Sequence, residues 1–550
     1  MKLVRQALYE NLFLLDEADV DCLIDYKIKD FDPEESIRYS SFLNMICQTT
    51  PIDELLQLQI CGIGRLFEKK NMLQLYLDPK IIYHRDNLLH YICRAISKKI
   101  NGSNEITGKD ISSNPNISKY GEVLLLINNK INFLGYHQNI EREIIKSFPF
   151  YTATPKMLFL FYKHRIIRYS HIYGDILPRI NQKDLLINGI KLVEEKYSIE
   201  FKDYIDAFKD LFIWFLGAKV HGLNSSQFDM RDRKTFYIDG NIFKDTKVIQ
   251  TVEALSKDIN GFYEEFAKER RDEIDNDVFY YFQRIFDYPI FKSGNTEFCI
   301  IDLKFLIEGV CSGLIWKIDS IIKNNNKANY SIQKIKEQYG YLLEKYFIFL
   351  MEKIFPEVQL TYNQNGKPDA VLEIDANGES YIILFEFTTK FYRISSLYNK
   401  SSKNFSDDLD RVLFSEERDD KGKFINLNKY TTDYQKQSKT LIPILVTESW
   451  LGDYDLLNRI DNFLDKKIKE HNLNSLSIFK PLILSLDDLE TFWAISTEGS
   501  GGKEFIDLLK IWEKVQKGKY LYNFAGFILE GKVLNNKKYL DFFNTSNLAE

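Results

Sequence analysis

The chain has 550 residues, of which 45% are hydrophobic and 14% aromatic, and its formal net charge is -6. This composition supports folded domains rather than long disordered stretches, and at about 150 residues per domain it predicts two to four units. The negative net charge excludes a uniformly basic coat for nucleic acid, although a local basic groove remains compatible with it.

The six cysteines are scattered, with no CxxC pair and no histidine at zinc-finger spacing. This usage indicates reduced, mostly buried thiols in a cytosolic protein. Charged residues interrupt the first apolar positions before they reach the length of a signal peptide. No uninterrupted stretch approaches the roughly 20 apolar residues of a membrane span. We therefore expect a soluble, cytoplasmic protein that does not contact a membrane.

Two polar segments rich in Asn and Ser divide the chain into three expected regions. The first segment, at 101–119, separates a mainly helical N-terminal region (1–120) from a mainly helical substrate-recognition or regulatory region (121–325). The second segment, at 323–331, precedes a region in which helical and strand-like patterns alternate (326–550). The expected fold class is therefore α/β, with a mostly helical N-terminal part.

Two stretches of the N-terminal part have less definite patterns. The sequence VDCLIDYKI (20–28) fits a period of two as well as a helix, so both interpretations remain open. The sequence GEVLLLINNKINFLGY (121–136) has apolar runs on both sides of an Asn-Asn-Lys turn signal, which predicts strands.

A third stretch, YKHRIIRYSHIYGDILPRINQK (162–183), interleaves cations with tyrosines. Cations for phosphates and aromatic rings for bases are what a nucleic-acid surface needs. An ordinary basic helix face is the plainer interpretation, and the sequence leaves both open. The residues concerned are Lys163, Arg165, Arg168, Arg179 and Lys183 with Tyr162, Tyr169 and Tyr173.

The C-terminal region opens with a long amphipathic helix. Its apolar residues recur at helical spacing between Ser331, an expected N-cap, and Pro356, a stop signal. The strand candidates that follow are 357–363, 368–375 and 380–388. Further on, the sequence predicts a helix (425–440), a buried strand (441–449), and another strand and a helix capped at Ser485 or Asp487.

The second and third strand candidates are joined by Asn377-Gly378, a strong signal for a two-residue hairpin turn. With these two residues at the turn, the pairing register places Asp369 directly opposite Glu386. Opposed residues in a hairpin share a face, with Cβ atoms about 5 Å apart. The sequence therefore brings two carboxylates together on a largely apolar hairpin.

Two opposed carboxylates on a buried sheet are costly, because like charges repel and each loses its hydration. A divalent cation held between them is one way to compensate, and Mg²⁺ binds one or two carboxylates together with waters and phosphate oxygens. The other interpretation is structural, with Asp369 as a strand-start residue and Glu386 paired with Lys390 or Lys367.

The order of these elements resembles the core of the PD-(D/E)xK nuclease superfamily, which has the restriction-endonuclease-like fold. The residues that carry the resemblance are Asp369 in "KPD", Glu386 in "LFEFTTK", and Glu344 in the preceding helix, with Gly340 one turn earlier on the same face. The resemblance covers about residues 330–495. It implies a domain with a central mixed sheet flanked by helices.

The sequence departs from the family pattern at one position. The family usually carries a lysine two residues after the glutamate, and this chain has Thr388 there. Lys390 follows on the same face, so it is one candidate replacement; a lysine from the following helix is another. In that helix, Gln435 or Lys436 matches a position where the superfamily often has an accessory Gln or Lys.

An insertion precedes that helix, at 391–424. It contains both charge signs, which indicates a solvated loop or a surface that approaches nucleic acid. Its cations include Arg393, Lys400, Lys403, Arg411, Lys421 and Lys423.

The resemblance implies hydrolysis of phosphodiester bonds. Asp369, Glu386 and the carbonyl of Phe387 would hold Mg²⁺ or Mn²⁺, and Glu344 would hold a second ion or orient water. Lys390 would stabilise the attacking hydroxide or the phosphorus centre, and Thr388 and Gln435 complete the candidate catalytic set.

Three functions remain open on this basis. The first is a DNA endonuclease of a bacterial restriction or anti-phage kind, with nucleic acid as partner and a homo-oligomer or a defence-system protein as a further expected partner. The second keeps the fold but cleaves RNA, including tRNA. The third is a catalytically degenerate subunit that binds nucleic acid or protein, for which Thr388 is the main argument.

Overall fold

The computed structural model describes residues 5–6, 20–49, 80–100, 114–136, 155–179, 185–211, 238–239, 246–268, 282–324, 331–362, 368–389, 407–434, 439–448, 466–471, 482–496 and 501–516, with positions 55, 59 and 524. Some of these ranges contain short gaps. The chain forms two compact units. One contains residues 1–158 and 187–332, and the other contains residues 159–186 and 333–550.

The first unit is mainly helical and contains a small mixed sheet. The four strands of this sheet lie in the order Ile238–Asp239, Glu297–Ile300, Ile290–Ser293, Ser256–Lys257, and the last two are parallel neighbours. Arg5–Gln6 and Lys80–Ile81 form a separate parallel pair. The helices are Val20–Ile28, Pro33–Thr49, Arg85–Ile100, Asn114–Tyr136, Leu185–Tyr197, Thr246–Ala254, Ile259–Ala267, Phe282–Asp287, Leu303–Val310 and Leu314–Asn324.

Two sequence interpretations in this unit are decided by the structure. The stretch 20–28, left open between helix and strand, is a helix. The stretch 121–136, predicted to form strands, lies inside the helix Asn114–Tyr136, so that prediction was wrong. The supposed turn residue Asn128 is a buried helical residue whose amide donates to the carbonyl of Ile82. Its polarity therefore serves a buried hydrogen bond rather than a turn.

The second unit is built around a five-stranded mixed sheet, in keeping with the expected α/β class. Its strands, numbered along the chain, are β1 (Leu360–Tyr362), β2 (Ala370–Ala376), β3 (Glu379–Thr388), β4 (Thr440–Thr447) and β5 (Leu482–Ser485). They lie in the order β5-β4-β3-β2-β1. The pairs among β1, β2 and β3 are antiparallel, whereas β3, β4 and β5 are parallel. The carboxyl ends of the last three strands therefore meet at one edge of the sheet.

The hairpin of β2 and β3 has the register that the Asn-Gly turn predicts. The φ angles of Asn377 and Gly378 are 55° and 79°, as a type I′ turn requires. Ala376 faces Glu379 and Ala370 faces Phe385, so the next position along places Asp369 beside Glu386. This part of the structure is confirmed as the sequence predicted it.

The helices whose bounds are described beside the sheet are α1 (Pro155–His171), α2 (Ile332–Ile354), α3 (Lys423–Tyr434), α4 (Leu486–Ile495) and α5 (Gly501–Gln516). The ring of Phe347 on α2 stacks on Phe387 of β3, with centroids 5.0 Å apart. Because side chains alternate along a strand, the neighbouring residue Glu386 points to the opposite face, where α3 packs on β3 and β4. α4 begins with a capping box at Ser485, one of the two expected caps.

The segment 159–186, which contains most of α1, belongs to the second unit. The sequence had assigned it to the regulatory region 121–325 and had placed the start of the nuclease-like region at residue 326. The structure instead begins the main part of this unit at residue 333 and adds the earlier segment to it. The second unit is therefore assembled from two separate stretches of the chain.

Among the described cysteines, Cys22 is exposed, and Cys47, Cys93, Cys299 and Cys311 are buried. Within the described ranges, no helix is both long enough and apolar enough to cross a membrane.

Candidate functional site

Three charged side chains meet near the carboxyl end of β3. The Lys423 Nζ atom lies 2.9 Å from Oε2 of Glu386 and 3.4 Å from Oδ2 of Asp369. Glu386 is almost completely buried, whereas Asp369 and Lys423 keep about a quarter and a fifth of their side chains exposed. The three groups therefore form a charged cluster that opens to solvent on the side of Asp369 and Lys423.

The backbone of β3 fixes the orientation of Asp369. This residue lies just before β2, and its Oδ2 atom accepts a hydrogen bond of 2.8 Å from the backbone N–H of Phe387. The same oxygen faces Lys423, so its position is set from two sides. The N–H of Phe387 is thus a contact to Asp369, while the Phe387 carbonyl that was predicted as a metal ligand stays a prediction.

Lys423 is the first residue of α3, and its position depends on the glycine before it. A Cβ atom on Gly422 would lie 2.3 Å from the carbonyl oxygen of Leu413, which is too close for any other residue. The Gly422 N–H donates to the carbonyl of Ser415 at 2.7 Å. This close approach of two backbone segments brings the start of α3 to the edge of the sheet, and with it the lysine.

One of the two open sources for the missing lysine lies within the described residues. Lys423 comes from the helix that follows β3, as the second alternative expected, and it had been counted among the cations of the preceding insertion because the helix was predicted to begin at 425. A lysine in the first turn of a helix is disfavoured by the helix dipole, and with the helix start at residue 423 this position marks Lys423 for a specific role. The other candidate, Lys390, lies outside the described residues.

The electrostatics of the cluster are dominated by burial. Burial raises the pKa of Glu386 to about 7, and the nearby Asp369 carboxylate adds to this while Lys423 opposes it. For Lys423, burial lowers the pKa, but Glu386 and Asp369 together raise it well above its ordinary value. The ammonium group therefore stays charged, and the two carboxylates share one compensating charge.

This donor set fits a hard divalent cation. Carboxylate oxygens are the ligands that Mg²⁺ and Mn²⁺ prefer, and a cluster of two ionised carboxylates and one lysine keeps one uncompensated negative charge. Among the described residues, no three His, Cys, Asp or Glu side chains are grouped closely enough to hold a metal ion. A metal here would thus have two carboxylate ligands, with its remaining positions left for waters and substrate oxygens.

The remaining predicted site residues are placed differently. Thr388 is buried at the end of β3 on the face of Glu386. Glu344 is half-buried on α2 and forms no three-carboxylate group with Asp369 and Glu386. Gln435, like the alternative Lys436, lies outside the described residues. The catalytic roles of all of them stay predictions.

Sequence reasoning passed over Tyr430, which lies seven residues after Lys423 on the same side of α3 and is 9% exposed. Burial raises its pKa, and the charges of Glu386 and Asp369 raise it further. The i, i+7 spacing from Lys423 is the sequence signal that would have found it, once that lysine was recognised as part of the site.

Two of the cations in the stretch 162–183, Arg165 and Arg168, do not form the surface that its sequence suggested; Arg179 is exposed, and the side chains of Lys163 and Lys183 lie outside the described part of the chain. Arg168 is completely buried, and its guanidinium donates to Glu490, to Asp487 and to the carbonyl of Glu448. Arg165 also contacts Asp487, at 2.9 Å. Neither a nucleic-acid surface nor an ordinary solvated face describes these arginines, because their partners are carboxylates at the carboxyl ends of β4 and β5.

The tyrosines of the same stretch are buried as well. Tyr169 donates its hydroxyl to the Glu448 carboxylate and is hydrogen-bonded to the hydroxyl of Tyr339 on α2. Tyr162 and Tyr173 are 5% and 6% exposed, too little to stack on a base. Burial raises the pKa of Glu448 and of Glu490, whereas Arg165 and Arg168 overcome burial at Asp487 and lower its pKa. We refer to Arg165, Arg168, Glu448, Asp487 and Glu490 as the buried ion cluster.

Comparison with known proteins gives little further information. No protein-family model matches the chain, and no curated protein shows significant sequence similarity to it. Among solved structures, the restriction endonuclease FokI aligns with 84% of this chain and 94% of its own chain, at 13% identity and a TM-score of 0.18. A likeness with so low a TM-score carries no argument about fold or activity.

Proposed function

We propose that the chain is a metal-dependent nuclease that hydrolyses phosphodiester bonds in DNA, in a bacterial restriction or anti-phage role. The observation that supports this most is the cluster of Asp369, Glu386 and Lys423 at the carboxyl end of β3. It supplies the two carboxylates and the lysine of the PD-(D/E)xK pattern, with the lysine taken from α3 rather than from β3. Lys423 thereby removes the main argument for a degenerate subunit, which was Thr388.

Each side chain of the cluster has a distinct task in such a reaction. Asp369, held by the Phe387 N–H, and Glu386 bind the metal, which when bound polarises a phosphate oxygen and lowers the pKa of a coordinated water. In the metal-free protein the pKa of Glu386 is about 7, so a proton competes with the metal for this carboxylate near neutral pH. Lys423 places a permanent positive charge where negative charge develops on the attacking oxygen and the phosphorus centre.

The proposal is tested by incubating the purified full-length protein with supercoiled plasmid DNA and, separately, with total RNA. With Mg²⁺ or Mn²⁺ we expect the plasmid to be nicked and linearised, and with excess chelator we expect no cleavage. Cleavage confined to RNA would assign the site to the alternative RNA substrate. Cleavage that is unaffected by chelator would contradict the metal-dependent mechanism.

Metal binding should depend on pH, because a proton and the metal compete for Glu386. A carboxyl with a pKa of about 7 is mostly protonated at pH 6 and mostly ionised at pH 8. We expect the Kd for Mg²⁺ to fall by about tenfold from pH 6 to pH 8, with most of the change below pH 7. Titration calorimetry in two buffers of different ionisation enthalpy measures both the affinity and the proton released.

The raised pKa of Glu386 also makes the stability of the metal-free protein depend on pH. The folded pKa of Glu386 lies above that of an unfolded glutamate, so its contribution to stability is complete below the unfolded pKa and is lost as pH rises through about 7.

The control for the metal-binding prediction is Glu386→Gln, which should remove the proton release on metal addition. An Mg²⁺ affinity that is constant between pH 6 and pH 8 would contradict the assignment of Glu386 as a ligand.

A further inference from the structure

Two lysines of the first unit share one tyrosine ring. The Nζ atom of Lys257 lies 4.5 Å from the centre of the Tyr288 ring, and that of Lys196 lies 5.4 Å from the same centre. A second ring, that of Tyr197, has its centre 5.0 Å from Lys196 Nζ. Cation–π contacts therefore hold both ammonium groups at one place on the unit.

Neither ammonium group donates a hydrogen bond to the described part of the chain. The carboxylate oxygens that they face, Oδ2 of Asp287 for Lys196 and Oε1 of Glu265 for Lys257, lie 4.0 and 3.9 Å away. Both distances exceed that of a hydrogen bond, so the N–H donors of these lysines remain available to an external anion. Four other lysines of the unit do donate to a carboxylate, at 2.6 to 3.1 Å: Lys27, Lys247, Lys268 and Lys292.

The two side chains are accessible but held in place. Lys196 keeps 23% and Lys257 keeps 32% of its side chain exposed. The stem of Lys257 crosses Gly261, where a Cβ atom would lie 2.9 Å from the Cδ atom of the lysine. Because packing already restricts these side chains, an anion that binds them loses less free energy in ordering them than it would with mobile surface lysines.

The charges around these lysines do not cancel. The buried Arg284 contacts both carboxylates, at 3.6 Å from Asp287 and 3.9 Å from Glu265. Together with Lys268 on Glu265, four cations face two carboxylates and leave two positive charges in excess. We refer to these seven residues as the lysine-tyrosine cluster: Lys196, Lys257, Glu265, Lys268, Arg284, Asp287 and Tyr288.

The pKa values of two lysines are consistent with a positive potential here. Burial lowers the pKa of Lys196, the two carboxylates oppose this, and the charges of Arg284 and Lys257 lower it further. Burial also lowers the pKa of Lys317 to about 7, and the charge of Lys196 contributes to this. The excess of positive charge is local, because the chain as a whole has a formal net charge of -6.

We propose that the lysine-tyrosine cluster binds a phosphate monoester, whose oxygens accept hydrogen bonds from Lys196 and Lys257. A phosphate monoester carries up to two negative charges and three strong acceptor oxygens, which matches the two excess charges and the available donors. A phosphodiester carries only one negative charge and is covered by a substituent on two sides. The site lies in the unit that does not contain Asp369 and Glu386, so it adds a ligand beyond the proposed nuclease reaction.

The test compares methyl phosphate with dimethyl phosphate. Full-length protein in excess chelator is titrated into each compound at pH 8, where the monoester has two negative charges, and phosphorus NMR gives each Kd. We expect methyl phosphate to bind at least about tenfold more tightly than dimethyl phosphate. Lys196→Gln and Lys257→Gln should each weaken binding of methyl phosphate by about 10- to 100-fold, the effect of one lost hydrogen bond between charged groups.

Lys247→Gln is the matched control, because Lys247 belongs to the same unit and is paired with Asp203 at 2.8 Å. It should change the affinity less than about twofold. Lys257→Arg keeps the positive charge and should retain most of the binding that Lys257→Gln loses. AMP and a 5′-phosphorylated octanucleotide, titrated in the same way, identify whether the monoester belongs to a small molecule or to the end of a strand.

The proposal is overturned if Lys196→Gln and Lys257→Gln bind methyl phosphate as tightly as Lys247→Gln does. A lower melting temperature without a change in affinity would assign both lysines a structural role on Tyr288. Equal affinity for dimethyl phosphate would also contradict a monoester site. Because the assay contains chelator and measures binding alone, its outcome is independent of the cleavage test on plasmid DNA.

Discussion

Asp369→Asn and Glu386→Gln are each expected to reduce DNA cleavage by about a thousandfold or more while the protein stays folded. Each change removes one of the two carboxylates that bind the metal, at almost unchanged side-chain volume. Neither should unfold the protein, because each variant removes one of two neighbouring negative charges and leaves the other paired with Lys423. Plasmid cleavage and thermal unfolding, measured on the same preparations, check both statements.

Lys423→Met distinguishes the role of the lysine charge in cleavage from the role of the two carboxylates in metal binding. Methionine keeps an apolar stem of similar length but loses the ammonium, so Mg²⁺ binding should persist and cleavage should fall by about a hundred- to thousandfold. Lys439→Met is the matched control, since Lys439 pairs with exposed Glu373 at the surface of the same sheet and such pairs contribute little.

The pattern of these results distinguishes a catalytic lysine from a structural one. If Lys423 only neutralised Glu386 and Asp369, its replacement would lower the melting temperature and leave cleavage by the folded fraction intact. If either carboxylate variant cleaved DNA at the wild-type rate, the cluster would not be the active site.

The hairpin of the candidate site was predictable from the sequence because its signals are local. The Asn377-Gly378 turn needs positive φ at both residues, and this fixes the register through which Asp369 meets Glu386. The long helix α2 and the cap at Ser485 were predictable for the same reason, since apolar spacing and capping depend on neighbouring residues.

The features that the sequence did not reveal depend on contacts between distant parts of the chain. Lys423 reaches Glu386 because Gly422, the residue before it, has no Cβ and can pass close to the backbone of Leu413. Arg168 looked like a surface cation because its partners, Asp487 and Glu490, lie 319 and 322 residues further along the chain. Periodicity and local charge contain no information about such pairs.

Arg168→Ala is expected to be the most destabilising of these changes, at about 3 to 5 kcal/mol. The guanidinium is completely buried, and its removal leaves Asp487 and Glu490 in the same low-dielectric environment without their main partner. Arg168→Lys should also destabilise, because a single ammonium does not reproduce the fork that contacts both carboxylates. Chemical denaturation, followed by hydrogen exchange in 482–496, locates the loss in the second unit.

Three comparisons show whether charge or packing causes the loss. Arg179→Ala removes an exposed arginine of the same segment and should change stability by less than about 0.5 kcal/mol. Lowering the pH from 8 to 5 should restore part of the stability of Arg168→Ala. Protonation of Glu490 and Glu448 removes their negative charges, so these buried groups no longer require a positive partner. The double variant Arg168→Met with Glu490→Gln should be more stable than Arg168→Met alone. If neither pH nor the second substitution recovers stability, the buried ion cluster acts through packing, and the segment 159–186 is held in the second unit by its apolar contacts.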